Sequence, residues 1–279
     1  MKHLISLLAA ALLIPIAAGA QTKWYNPLDY APVVQGQGWS ELNGSYFRLP
    51  AHAEGKASDA VWRLSHNSAG LSVVFRTDSP EIIVKHKVKG GMNMLHMPST
   101  GVSGCDLYAY DMDGSLHWLA PDFPPRYKAD SVNVKFSNIS YLQKDGRGYE
   151  YHLYLPLYNT PYDLKIGIPR EYDLTFAAPR TEKPIVIYGT SITQGACASR
   201  PGNCWTAIVE RELEHPVVNL GFSGSAKMEP QMFDLIAETD ALMYIIDCLP
   251  NMMGDIPSIR EKAVYGVKTL RGAHPHTPI

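Results

Sequence analysis

The run Ile185-Val-Ile-Tyr-Gly189-Thr-Ser191-Ile-Thr-Gln-Gly195 constrains this chain more than any other stretch. β-Branched and aromatic residues extend the backbone, give way to Gly189, and a serine stands two positions on. A buried strand ending in this way delivers Ser191 to the start of the next helix, at the C-terminal edge of its sheet. Open α/β sheets bind ligands at that edge, and the free N–H groups of a helix start there favour developing negative charge. The position suits a nucleophile. Apolar runs recur at 216–221 and 241–248, with helical spacing between and after them. Residues 204–215 align Trp205, Ile208, Val209 and Leu213, residues 228–237 are short and amphipathic, and 257–273 begin with proline and end basic. The alternation predicts a parallel, doubly wound sheet over 179–279.

Residues 21–178 have a different texture. Short alternating runs fall at 45–49, 71–76, 81–88, 105–111, 116–119, 150–157 and 162–168. Turn signals separate them at Asp78-Ser-Pro80, Asp113-Gly114, Asp145-Gly146 and Asn159-Thr-Pro161. Many short strands without intervening helices predict a β-sandwich of jelly-roll type. The polar, proline-marked stretch 177–184 reads as the linker. Trp24, Trp39, Trp62 and Trp118 either offer flat faces to sugar rings or fill the core and the domain interface, and we favour filling.

Residues 1–20 read as a signal peptide: a basic start, an apolar stretch over 4–18, and Ala18-Gly-Ala20 as the cleavage site. The mature chain is expected to begin at Gln21, in the periplasm or outside the cell. The apolar stretch is too short to span a membrane, and nothing else approaches that length. A net charge of −2 argues against a nucleic-acid partner. Export permits disulfides. Cys197 and Cys204 flank a turn-rich loop and are expected to pair, whereas Cys105 and Cys248 sit in apolar strand contexts as separate buried thiols. The cysteine and histidine spacings do not suit zinc, so no metal or cofactor is expected.

Three segments together resemble the SGNH (GDSL-like) hydrolases. Gly189-Thr-Ser191-Ile-Thr193 is similar to that family's first block, with Thr190 where an aspartate is usual. Asn219-Leu-Gly221-Phe-Ser-Gly224 follows as the second block, and Asn251 matches the asparagine of the third, although its neighbouring Gly and Asp are missing. The resemblance implies Ser191 as nucleophile, with the Gly224 N–H and the Asn251 amide as oxyanion donors and Gly221 needed for the turn. It further implies an exported two-domain esterase, with a β-sandwich ahead of the hydrolase domain, that deacylates carbohydrates.

The family's Asp-x-x-His block has no counterpart here. None of the ten histidines has an aspartate three residues before it. Glu212-x-x-His215 has the spacing but closes a surface helix, and His274-Pro275 looks like the lead-in to another strand. The chain thus reads as the N-terminal part of an SGNH domain, 179–279, and as inactive alone. The leading expectation is a serine ester hydrolase acting on an acylated carbohydrate. A non-catalytic glycan-binding protein with a vestigial hydrolase domain is the rival from another class, and a lipase or thioesterase the rival within enzymes.

Overall fold

A computed structural model describes residues 21–110, 114–122, 125–139, 149–254 and 256–279. The expected signal peptide, Asp113 and the Asp145-Gly146 turn lie outside the described residues. In chain order, the front half carries β1 (Thr22–Tyr25), β2 (Val34–Gln35), β3 (Ser72–Thr77), β4 (Glu81–Val88), β5 (Asp106–Tyr110) and β6 (Leu116–Leu119). β7 (Arg126–Lys128), β8 (Ser131–Ser137), β9 (Tyr149–Tyr154), β10 (Pro161–Pro169) and β11 (Leu174–Phe176) follow, with short helices α1 (Asp59–Ser65) and α2 (Ser99–Val102) between.

These strands form two antiparallel sheets, ordered β1-β10-β4-β8-β7 and β11-β3-β9-β5-β6, with β2 beside β3. Alternation is the cause. Val132, Val134 and Phe136 of β8 point inward and Lys135 outward; Ile82 and Val84 of β4 are buried beside exposed Lys85. Their side chains meet Val73, Phe75, Leu107 and Leu153 of the other sheet in one core. The run at 45–49 forms no strand. Tyr46 enters the core between the sheets, and Leu49 reaches the core of the back half.

The back half alternates as expected: β12 (Ile185–Gly189), α3 (Ser191–Gln194), α4 (Trp205–Glu212), β13 (Val217–Gly221), α5 (Pro230–Ile236), β14 (Met243–Asp247) and α6 (Ile256–Ala273). The strands are parallel in the order β13-β12-β14, with Ile187 level with Asn219 and Ile245. Every residue of β12 is buried because both faces are covered. Ile185 and Ile187 pack towards Trp205 and Val209 of α4, while Val186 and Tyr188 join Met232 and Phe233 of α5 and Leu270 of α6. Beyond α6, the Tyr244 N–H donates to Pro278 O at 2.9 Å, so the chain runs on along the free edge of β14.

The halves share a core. Trp39, Leu42, Leu49, Ala53 and Val61 pack in the same cluster as β12 and α5. Trp39 therefore fills core, but Trp24 and Trp118 do not: they are 38% and 40% exposed, beneath the cations of Lys85 and Arg200. The expected Cys197–Cys204 disulfide is absent, and all four cysteines are free thiols. Cys204 is buried with its thiol against Thr193 O and Thr206 Oγ1, whereas Cys197 is exposed. Among the described residues no helix is long and apolar enough to cross a membrane.

Candidate active site

Ser191 opens α3 at the C-terminal end of the middle strand of the parallel sheet. The preceding residue explains the tight turn. Thr190 is fully buried and extended, and its hydroxyl accepts from the Ile192 N–H at 3.3 Å, so it caps the helix as an aspartate would. Gly195 ends α3 at φ 103°, a left-handed conformation that suits glycine. Gly189 is glycine for space, because a Cβ there would strike the Thr193 side chain.

The helix is held from three sides. Tyr158 donates its hydroxyl to Ser191 O at 3.3 Å, and Thr193 Oγ1 donates to Asp247 Oδ2 at the end of β14. On the β13 side, Asn219 Nδ2 donates to Thr193 O at 2.7 Å and to Thr206 Oγ1 at 2.9 Å. Gln194 accepts the Ser223 N–H at 2.9 Å and donates to Leu157 O at 3.1 Å.

The loop after β13 presents one donor. Ser223 N–H is taken by Gln194, while Ser225 and Ala226 N–H both go to Phe222 O. The Gly224 N–H, at φ 68° on an exposed turn, is left without a partner among the described residues. The N–H of Ser191, first in its helix, is likewise free of a backbone partner. Gly221 is not the turn residue expected. It ends β13 without a positive φ, and a Cβ there would overlap the Thr193–Gln194 backbone. Close approach of strand and helix, not turn geometry, demands that glycine.

Asn251 lies just past β14 in a 3₁₀ turn, and its Nδ2 donates to Ala226 O at 3.0 Å. Ser191, Gly224 and Asn251 thus occupy the ends of adjacent strands, with the two outer loops bonded to each other. One hydrogen of the Asn251 amide is spent on that bond and one remains. The two histidines nearest in sequence pattern to a base lie elsewhere. His215 Nε2 is 2.8 Å from Lys183 O, before β12, and His274 Nε2 is 2.8 Å from Ala237 O, before β14. Both are at the N-terminal edge of the sheet, about 16 Å of strand away from Ser191.

The front half reaches this site through the segment after α3. Asp106 is buried and accepts from Trp118 Nε1 at 2.5 Å and Gly202 N–H at 3.2 Å, while Arg200 Nε stands at 2.9 Å. Burial pushes its carboxyl up to about 6, opposed by these three donors. Tyr158, Gln194, Asp247 and Asp106 carried no signal in the sequence, since each is placed by a partner distant along the chain. Among the described residues no group of three or more His, Cys, Asp and Glu is placed to hold a metal ion.

A two-layer β unit joined to a parallel α/β unit, with a serine at the head of the first helix, defines a class of esterase-type hydrolases. Residues 22–174 match the GxDLY family, described as the N-terminus of esterase SGNH hydrolase-type proteins. Gly104-Cys-Asp106-Leu-Tyr108 spells the motif in its name. Residues 182–279 match the GDSL-like lipase/acylhydrolase family. A protein from Bacteroides ovatus ATCC 8483, described as a GDSL-like lipase, is 30% identical with a TM-score of 0.82. The alignment covers 93% of this chain and 73% of that one. The salicylyl-acyltransferase SsfX3 from a tetracycline biosynthetic pathway shares the fold at 21% identity and TM-score 0.67, over 92% of this chain and 71% of that one. A family two carbohydrate esterase from Clostridium thermocellum aligns at 14% identity and TM-score 0.44, over 74% and 69%. No curated protein matches. The chain belongs to the SGNH (GDSL-like) hydrolase family.

Proposed function

We propose that this protein is an exported serine ester hydrolase that removes acetyl or another small acyl group from a carbohydrate. One observation carries the reading: Ser191 heads α3 at the middle strand end, flanked by loops whose Gly224 N–H and Asn251 amide have donors to spare. Ser191 Oγ attacks the acyl carbon while its proton passes to a general base, and the carbonyl electrons move to oxygen. Collapse of the tetrahedral oxyanion expels the alcohol with that proton, leaving an acyl-serine that water then hydrolyses. The Ser191 N–H, the Gly224 N–H and the Asn251 amide face that oxyanion, a type of stabilisation worth several kcal/mol. Neither His215 nor His274 is the base, because both are held at the opposite sheet edge.

The strand orders β1-β10-β4-β8 and β3-β9-β5-β6 support reading residues 21–178 as a jelly-roll sandwich and 179–279 as the hydrolase domain. The sugar-bearing substrate rests on the family resemblance, since the part-exposed rings of Trp24 and Trp118 each carry a cation, Lys85 or Arg200, over one face. Export rests on the leader-like residues 1–20. The test is hydrolysis of p-nitrophenyl acetate and release of acetate from acetylated xylan by the full-length protein, beside Ser191→Ala. Turnover that survives in Ser191→Ala overturns the nucleophile, and turnover of the small ester alone removes the carbohydrate.

A further inference from the structure

Arg48 is 2% exposed, and its guanidinium has no carboxylate partner. Four backbone carbonyls take its hydrogens instead. Nε donates to Asn67 O at 2.7 Å and Nη2 to Leu64 O at 2.7 Å, both in the front half. Nη1 donates to Asn219 O at 3.1 Å and Gly221 O at 2.7 Å, the last turn of β13 before the Gly224 loop. The Phe222 ring lies 4.8 Å from the guanidinium carbon. Carbonyls satisfy the hydrogens but carry no net charge, so a full positive charge stands buried and unneutralised. Buried charges in proteins are ordinarily paired, because desolvation is costly.

The place of this charge is informative. The two β13 carbonyls it grips flank Leu220, and Gly221 presses on the helix that Ser191 begins. Its field reaches Tyr158, whose hydroxyl contacts Ser191 O. Among the described residues no acidic side chain pairs with it, and the ionisable groups near it are Tyr158 and Cys204. Burial lowers its pKa to about 9, which still leaves it charged at neutral pH.

Building on the ester-hydrolase reading above, we propose that Arg48 is a positioning residue of the oxyanion hole whose missing counter-ion is the transient oxyanion itself. Its fork anchors the guanidinium charge against the end of β13, from which the Gly224 loop departs. Its charge, held against the Asn219 and Gly221 carbonyls at the end of β13, favours the state in which the substrate carbonyl oxygen is negative. Such a charge acts more on the transition state than on the neutral ester, so its loss is read in kcat and not in KM.

The test uses the full-length protein with Ser191→Ala, Arg48→Lys and Arg48→Gln, assayed for p-nitrophenyl acetate hydrolysis and for melting temperature. Lysine keeps the charge and loses the fork; glutamine keeps two donors and loses the charge. Expected is a fall in kcat of about 10–10² for Arg48→Gln, below the loss of a direct donor, with KM changed less than twofold. Arg48→Lys is expected to retain kcat within about fivefold of wild type, although both variants melt earlier. Equal losses in both, tracking melting temperature, overturn the charge role, as does unchanged kcat in Arg48→Gln. If Arg48→Gln does not fold, Arg48→Lys decides alone: a folded lysine variant down more than tenfold overturns it. Hydrolysis that Ser191→Ala does not abolish would instead overturn the nucleophile reading, and this proposal with it.

Discussion

Thr193 Oγ1 donates to Asp247 Oδ2 at 2.9 Å, tying the helix that begins at Ser191 to the last residue of β14. Thr193 is fully buried, so its hydroxyl has no water to fall back on. Thr193→Val keeps the shape and removes the donor. We expect a loss of about 1–2 kcal/mol, the usual cost of leaving one buried partner unmet, measured by urea denaturation. Because α3 carries Ser191, the proposed nucleophile, kcat should fall as well; an unchanged kcat would show that this bond supports only the fold.

Asn251 is expected to serve two ends with one amide. Its bond to Ala226 O joins the loops of β14 and β13, and its second hydrogen is left for the oxyanion role proposed above. Asn251→Ala should lower kcat by about 10²–10³, as loss of one oxyanion donor does, and cost about 1 kcal/mol of stability. A change confined to KM, or to stability, would leave Asn251 as a structural link between loops.

Glu150 supplies the pH dependence. It accepts from His152 at 3.1 Å and from Arg76 at 2.6 Å on the face of β9. The His152 hydrogen bond, and then Arg76, hold its carboxyl down to about 2, against the burial that pushes it up. A carboxyl depressed in the folded state lends stability above its unfolded pKa of about 4.5, and that contribution fades as pH falls towards 2. Urea midpoints of wild type and Glu150→Gln should therefore differ at pH 7 and converge between pH 4.5 and 2. A constant gap across that window would contradict the assignment.

The parts of the fold that a period reveals were legible in the sequence. β12 and β13 lie where apolar runs end in Gly189 and Gly221, because a strand covered on both faces is buried along its whole length. β14 lies within the apolar run 241–248, yet at the sheet edge only its Tyr244 is buried. β4 and β10 were legible by alternation, yet β8 alternates as cleanly and went unread, since Asn133 and Lys135 dilute its apolar content. The run 45–49 misled because its apolar residues serve two different cores. At the site, Ser191, Gly224 and Asn251 stand at strand ends that local pattern can find. Arg48, Tyr158 and Asp106 each depend on at least one carbonyl or donor more than 30 residues away, which no local pattern encodes.

His215 and His274 should be dispensable for chemistry. His215 is half-buried and bonded to Lys183 O at the opposite sheet edge, so His215→Ala is expected to leave kcat and KM within about twofold, as changes away from a site usually do. His274 packs against the Tyr244 ring at 5.6 Å and bonds to Ala237 O. His274→Ala should lower the melting temperature but not kcat per folded molecule. Loss of Ser191-dependent turnover in either folded variant would make that histidine the base and overturn the placement argued here.

The two glycines of the second block should fail for different reasons when replaced by alanine. At Gly221 the added methyl meets the backbone of Thr193 and Gln194, which cannot swing aside as a side chain would. Overpacking of that kind costs about 1–3 kcal/mol, and here the displaced element is the helix that Ser191 begins. At Gly224 nothing lies within 4 Å of the methyl, so the cost is only that of holding a left-handed φ of 68°, about 1–2 kcal/mol. Gly221→Ala should thus move Ser191, lowering both stability and the rate of Ser191 labelling by a fluorophosphonate. Gly224→Ala keeps its N–H, so a variant that retains the turn should label at a rate within about fivefold of wild type, one donor's worth being 10²–10³. If Gly221→Ala is the milder of the two in both measurements, the close approach of β13 to α3 is not what Gly221 serves.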